Sequence, residues 1–263
     1  MRTKTSVSLD GIDLSTLDGR IVLQGIDEPE PNWNITMVSR AGKYGQRVTG
    51  TEKRYREITV RFAIAEHRDM ASREAIIQRV RDWAAKGGWL TLTYRPMERL
   101  SVICAKMPAI NGITKWAEAY AITFRSQGAP EWEAVIPDQA SASGGSGNAT
   151  LDVIPSAGGP LQVEAVNNSG SACSSISLSA EGQYMAFSGL GLADGETFRI
   201  RYDEQNMQHI EIVAEGGAVR SVLAKRTPAS WDDIMISQGR KAISYSADAS
   251  LNWKIYVHGR YAG

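Results

Sequence analysis

Apolar side chains recur along this sequence with a period of two residues in almost every patterned stretch and with a helical period in only one, which restricts it to a mainly β plan. Ile58, Val60, Phe62 and Ile64 alternate with Thr59, Arg61 and Ala63. Leu90, Leu92 and Tyr94 alternate with Thr91, Thr93 and Arg95, and Tyr120, Ile122 and Phe124 with Ala121, Thr123 and Arg125. A period of two turns every second side chain to the same face, so each stretch reads as a strand with one buried face. The exception runs from Ser72 to Lys86. There Ile76, Ile77, Val80, Trp83 and Ala84 fall at helical spacing, with Arg73, Arg79, Arg81 and Lys86 expected on the other side. Asp69 or Ser72 can cap the start of this helix, and Gly87 and Gly88 supply the positive φ that ends it.

The second half repeats the strand pattern. Phe198, Ile200 and Tyr202 alternate with Thr197, Arg199 and Arg201; after the turn EQN, Ile210 and Ile212 face one way, His209 and Glu211 the other. That spacing predicts a hairpin. Trp253, Ile255 and Val257 alternate with Lys254, Tyr256 and His258, and Leu161–Val166, Ser175–Leu178 and Ala242–Tyr245 add further short strands, the inventory of a β-sandwich. A length of 263 residues favours two units. The tract DQASASGGSGNAT, between Pro137 and Leu151, has no periodicity and no large apolar side chain, which is the composition of a flexible linker. The expected plan is therefore mainly β with one α-helix: an α+β domain over 1–137, built as an antiparallel sheet plus helix, a linker over 138–150, and a β-sandwich over 151–263.

Composition narrows the function. Hydrophobic residues make up 43%, enough for packed cores. Twenty-nine basic and twenty-nine acidic side chains leave no net charge, so whole-molecule attraction to nucleic acid or to an anionic membrane is not expected. The balance hides an asymmetry of +4 for residues 1–137 and −4 for 138–263, which invites complementary contact between halves or between copies. Cys104 and Cys173 lie 69 positions apart, neither a metal-ligand spacing nor a disulfide framework. The opening MRTKTSVSLDGIDL lacks the apolar centre of a secretory signal, and no stretch approaches the roughly 18 apolar residues of a membrane span. A soluble, unexported chain is the expectation.

Catalytic chemistry finds little support. His67, His209 and His258 stand far apart without a second ligand at helical offset, so neither a metal nor another cofactor is expected. The pattern Gly-x-Ser-x-Gly is absent, and GLGLADG from Gly189 to Gly195 reads as a turn rather than a dinucleotide fingerprint. Two acidic pairs, Asp203 with Glu204 and Asp232 with Asp233, read as solvated turns. Trp231, Asp232 and Tyr256 form a candidate sugar or receptor-side contact, since exposed aromatic faces stack on sugars. The densest charge feature lies between Arg40 and Arg56: Arg40, Lys43, Arg47, Lys53, Arg54 and Arg56 against Glu52 alone, with Tyr44 and Tyr55 interleaved. It reads as an arm that contacts a neighbouring protein subunit, with a nucleic-acid arm and a solvated loop as the competing readings.

The order of these pieces is informative. VSLDGIDL at Val7–Leu14, REITVRFAI at Arg56–Ile64, REAIIQRVRDWA at Arg73–Ala84, and AYAITFRS followed by Trp132 resemble the N-terminal domain of phage distal tail proteins. NNSGSACSSISLSA from Asn167 and LADGETFRIRYDEQNMQHIEI from Leu192 are similar to the C-terminal galectin-like sandwich of that family. The resemblance implies a structural protein without enzymatic activity: a split-barrel-like N-terminal domain forms a ring of six between tail tube and baseplate or tip hub, and the sandwiches serve as an attachment platform. Implied partners are the tail tube protein, the tape-measure protein, the tip hub protein and receptor-binding proteins. The implied place is the distal end of a virion tail, after synthesis in the host bacterial cytoplasm. A freestanding carbohydrate-binding module for cell-surface adhesion is the alternative, and the short C-terminal half, without long inserted modules, weighs against direct contact with the host.

Overall fold

The computed structural model describes residues 5–39, 46–65, 70–109 and 119–261, and the chain divides into two compact units that meet in sequence between Trp132 and Glu133. The first unit contains β1 (Val7–Leu9), β2 (Ile12–Asp13), β3 (Ile21–Asp27), β4 (Trp33–Ser39), β5 (Gln46–Lys53), β6 (Glu57–Ile64), α1 (Met70–Ala85), β7 (Gly88–Leu92), β8 (Arg95–Lys106) and β9 (Ala119–Ser126). Its antiparallel sheet runs in the order β2-β1-β7-β8-β9-β6-β3. Cross-strand register explains the alternation: Ile58 lies opposite Phe124, Val60 opposite Ile122 and Phe62 opposite Tyr120, and all six are buried. Stacking apolar side chains pair by pair on one face builds a continuous core wall.

Helix α1 covers that wall with Ile76, Ile77, Val80, Trp83 and Ala84, all buried. The Trp83 ring meets Phe124 edge-on at 5.9 Å, and its Nε1 donates to the Ile12 carbonyl at 3.0 Å. Gly87 and Gly88 end the helix with φ of +63° and +113°. Two expectations are corrected. Ser72 is no cap, because the helix begins at Met70 and the Ser72 hydroxyl instead accepts from Arg20 Nη1 at 2.9 Å; Asp69 lies outside the described residues. Arg73 does not face solvent: it is buried, with Nη2 donating to Met70 Sδ at 3.4 Å, because a long guanidinium side chain can fold back along its own helix. Trp83→Ala is expected to destabilise by about 3–5 kcal/mol through cavity formation and a lost hydrogen bond. A melting temperature within a degree or two of the parent would contradict this placement.

The second unit begins within β10 (Trp132–Ala134) and continues through β11 (Asp138–Val153), β12 (Gly159–Asn167), β13 (Cys173–Ala180), β14 (Gln183–Leu192), β15 (Thr197–Tyr202), β16 (Gln208–Val213), β17 (Val219–Ser221), β18 (Met235–Ile236), β19 (Gly239–Val257) and β20 (Arg260–Tyr261). The strand order is β14-β13-β19-β12-β15-β16-β17, with β11 along β19. The predicted hairpin is present, with Phe198 opposite Ile212 and Ile200 opposite Ile210. Its core gathers these residues with Leu161, Val163, Phe187, Leu251, Trp253 and Ile255. The run at Gly189 is not wholly a turn: β14 continues to Leu192, with Leu190 and Leu192 buried.

The expected linker over 138–150 is overturned. That tract is the greater part of β11, a 16-residue strand registered against β19 from Asp138 opposite Val257 to Val153 opposite Gly239, with one irregularity between Gly144 and Ser146. Its small residues serve packing. A Cβ on Gly147 would sit 2.6 Å from the Tyr245 hydroxyl, and one on Gly145 would meet the Ala247 and Ala249 carbonyl oxygens at 3.3 Å. Ala140 and Ala142 pack against the core, and Ala149, Leu151 and Val153 join it. Absent side-chain bulk signals flexibility only when nothing else claims the vacated space.

Carboxylates tie loops in both units. Hydrogen bonds from the Arg20 side chain and backbone hold Asp18 down to about 2, and bonds from Lys241 and Ser237 hold Glu181 down to about 2. A carboxyl depressed in the fold contributes stability above its ordinary value near 4 and loses it as the proton returns. The melting temperature is therefore expected to be flat through neutral pH and to fall between about pH 4 and pH 2. In Glu181→Gln that acid-limb fall should be shallower; an identical acid limb would contradict the assignment.

Candidate assembly surface

The strongest candidate for a functional surface is the β4–β5 hairpin, whose position follows from its sequence. Its strands pair with each other, Trp33 opposite Lys53, Ile35 opposite Thr51 and Met37 opposite Val48, and with no other strand among the described residues. A two-stranded ribbon of seven and eight residues is marginally stable in water by itself and gains from a further layer. One face carries Trp33, Ile35, Met37 and Val48, each at least 50% exposed. Four large apolar side chains on one exposed face form a patch of the kind that marks a contact surface.

The root of the hairpin, in contrast, is locked. Glu28, just after β3, receives three donors, Arg56 Nη1 at 3.0 Å, Trp132 Nε1 at 2.7 Å and the Tyr94 hydroxyl at 3.0 Å, and forms an ion pair with Arg95 Nη2 at 3.2 Å. Burial, with Glu28 close by, pushes the Tyr94 hydroxyl up to about 12, so it stays a donor. Arg56 also donates through Nε to the Pro130 carbonyl at 3.1 Å, and its backbone N–H to Ser126 Oγ at 2.9 Å. Asn32 and Tyr55 close the neck by a backbone bond of 2.7 Å. The result is a ribbon with a rigid base and an apolar face that meets no partner strand among the described residues.

The six basic residues expected to form a contact arm therefore separate. Arg56 is corrected outright: at 2% exposure it holds Glu28 and cannot meet a partner, because a guanidinium so deeply enclosed needs its carboxylate. Lys53 is half engaged, 3.2 Å from Glu131 and over the Trp33 ring at 5.6 Å. Arg54 is exposed. Arg47 lies on β5 opposite Val38, while Arg40 and Lys43 fall outside the described residues. Sequence reasoning missed the apolar face. Trp33, Ile35 and Met37 do alternate, but Val38 blurs the pattern, and alternation cannot distinguish a strand face covered by its own chain from one left open.

On the sandwich, Trp231 is 57% exposed and its backbone N–H donates to the Tyr184 carbonyl at 2.8 Å. Asp232 is exposed and pairs with Arg226 Nη2 at 2.6 Å. Tyr256 is corrected: it is 8% exposed, set in β19 between Gln139 and Gln162, and burial pushes its hydroxyl up to about 12. In the acidic pairs Asp203 is met by His209 at 2.9 Å and Asp233 by the Tyr202 hydroxyl at 2.5 Å, while Glu204 is exposed.

No family model matches the sequence, and no curated protein does. Solved structures do. The chain is similar to the Dit protein (gp 19.1) of SPP1, described as a paradigm of the hub adsorption apparatus in phages infecting Gram-positive bacteria, with a TM-score of 0.69 at 11% identity over 98% of this chain and 99% of that one. It is also similar to a chain of the phage P2 baseplate in its activated conformation, with a TM-score of 0.59 with Ca and 0.55 with Sr, each at 9% identity over 96% of both chains. The resemblance carried by the order of strands and helix is thus met by a resemblance of backbone, and the chain has, along nearly its whole length, the fold of phage hub and baseplate proteins.

Proposed function

We propose that the protein is a structural ring component at the distal end of a phage or prophage tail. Six copies join the tail tube to the baseplate or tip hub, and the sandwich units form a platform for receptor-binding proteins. The observation that carries this reading is the hairpin: a rigidly rooted ribbon whose apolar face and outer strand edges have no partner within the described residues. In a heterologous ring each copy offers one patch to a different patch on the next, and the assembly closes when the rotation between copies divides a full turn. A projecting ribbon that needs a third layer suits that geometry, at an interface of about 800 Å² or more per partner. Electron microscopy of the purified chain, alone and with tube and hub proteins, tests it: six-fold rings are expected, and particles that stay single in both preparations would contradict it.

A second reading, sugar recognition by the sandwich, is favoured by one observation, the exposure of Trp231 beside the charged pair Arg226–Asp232. On a glycan array the chain would then show binding that Trp231→Ala abolishes; an array blank for the parent removes this reading.

A further inference from the structure

Among the described residues, β11 forms the longest sheet edge of the sandwich unit that no further strand covers. The edge of β14 is covered by the stretch after β17: Arg226 bridges Phe187, Thr227 N–H donates to the Ala186 carbonyl at 2.8 Å, and Trp231 N–H to that of Tyr184 at 2.8 Å. The start of β12 is paired by β18, and the far edge at β17 is only three residues long. β11 pairs with β19 on one side, and on the other with no strand among the described residues. Every second residue of such a strand turns its N–H and C=O outward. Chains protect bare edges with lysine, proline or an inward charge, yet from Gln139 to Leu151 there is no charged residue and no proline.

We infer that β11 is a strand-addition site, receiving an extended segment of a different polypeptide antiparallel along Gln139–Ser143. The side chains specify the guest. Ala140 and Ala142 are small and only partly cover the edge of the core, so the guest places apolar side chains there. Gln139, Ser141 and Ser143 are exposed on the opposite face, where the guest carries hydroxyl or amide groups. The guest is thus an uncharged segment of about six residues alternating apolar with hydroxylated positions; backbone bonds supply affinity and the alternate side chains specificity. A second copy of β11 fits poorly, because alanine set against alanine leaves the core edge open.

The test uses the full chain and a capped hexapeptide alternating valine with threonine, read by amide hydrogen exchange. Saturating peptide is expected to slow exchange at least tenfold within residues 138–144. Alternate N-methylation of the peptide on its pairing edge, or S141K/S143K in the protein, should abolish that protection. S141T/S143T, which keeps a polar strand surface, should retain it. Absence of protection in the parent, equal protection at β14 and β17, or protection produced by raising protein concentration without peptide would each overturn the inference. The readout lies in the sandwich unit, so it stands or falls separately from ring formation.

Discussion

Glu28→Ala is expected to destabilise the first unit by about 3–5 kcal/mol, among the largest single losses in the chain, although Glu28 lies in neither a strand nor a helix. The carboxylate answers two guanidinium groups, an indole N–H and a phenol. Removing it leaves Arg56, whose side chain is 3% exposed, with the Pro130 carbonyl as its remaining side-chain partner. The cost is that of stranding a buried charge, so it exceeds the net worth of the ion pair. Glu28→Leu combined with Arg56→Met should therefore recover much of the loss, since an apolar pair of similar volume avoids desolvating either ion. Denaturant melts of the two variants check this. A single variant within about 1 kcal/mol of the parent, or a double variant worse than the single, would show that the cluster does not hold the hairpin root.

The second large effect is on assembly. Changing Trp33, Ile35 and Met37 together to serine removes three exposed apolar side chains and leaves their strand pairing in place. Exposed positions contribute little to the monomer, so the melting temperature should stay within a few degrees of the parent. Assembly should fail. Residues that anchor an interface commonly cost 2 kcal/mol or more each when truncated, and a closed ring repeats that loss at every contact. Charge reversal of Arg54 should have a smaller, salt-dependent effect, because rim charges steer association more than they hold it. If serine substitution leaves the rings intact, the face is not the contact.

Much of the fold was legible because its cause is local. The pairs Ile58–Phe124 and Phe62–Tyr120 follow from period-two alternation, and α1 from the only convincing helical stripe. What failed shares a different cause. Residues 138–150 look like a linker because serine, glycine and alanine announce nothing about their neighbours; the partner that makes them a strand, β19, begins about a hundred residues later. Arg56 and Tyr256 carry surface-type composition but are enclosed by contacts distant in sequence, Glu28 and Pro130 in one case and the flanking strands in the other. Trp33, Ile35 and Met37 invert the error, since their alternation is that of a buried face and their exposure is visible only in three dimensions. Local pattern identifies elements; which faces stay uncovered is decided by the whole chain.

The proposed role requires this polypeptide to hold copies of itself in a closed circle. Native mass spectrometry of the parent chain and of the Trp33, Ile35 and Met37 serine variant, each with tube and hub proteins added or withheld, is the decisive measurement. A parent species at six times the 28.6 kDa chain mass is expected, and it should be lost in the variant. A parent that remains at the mass of one chain under every condition would contradict it.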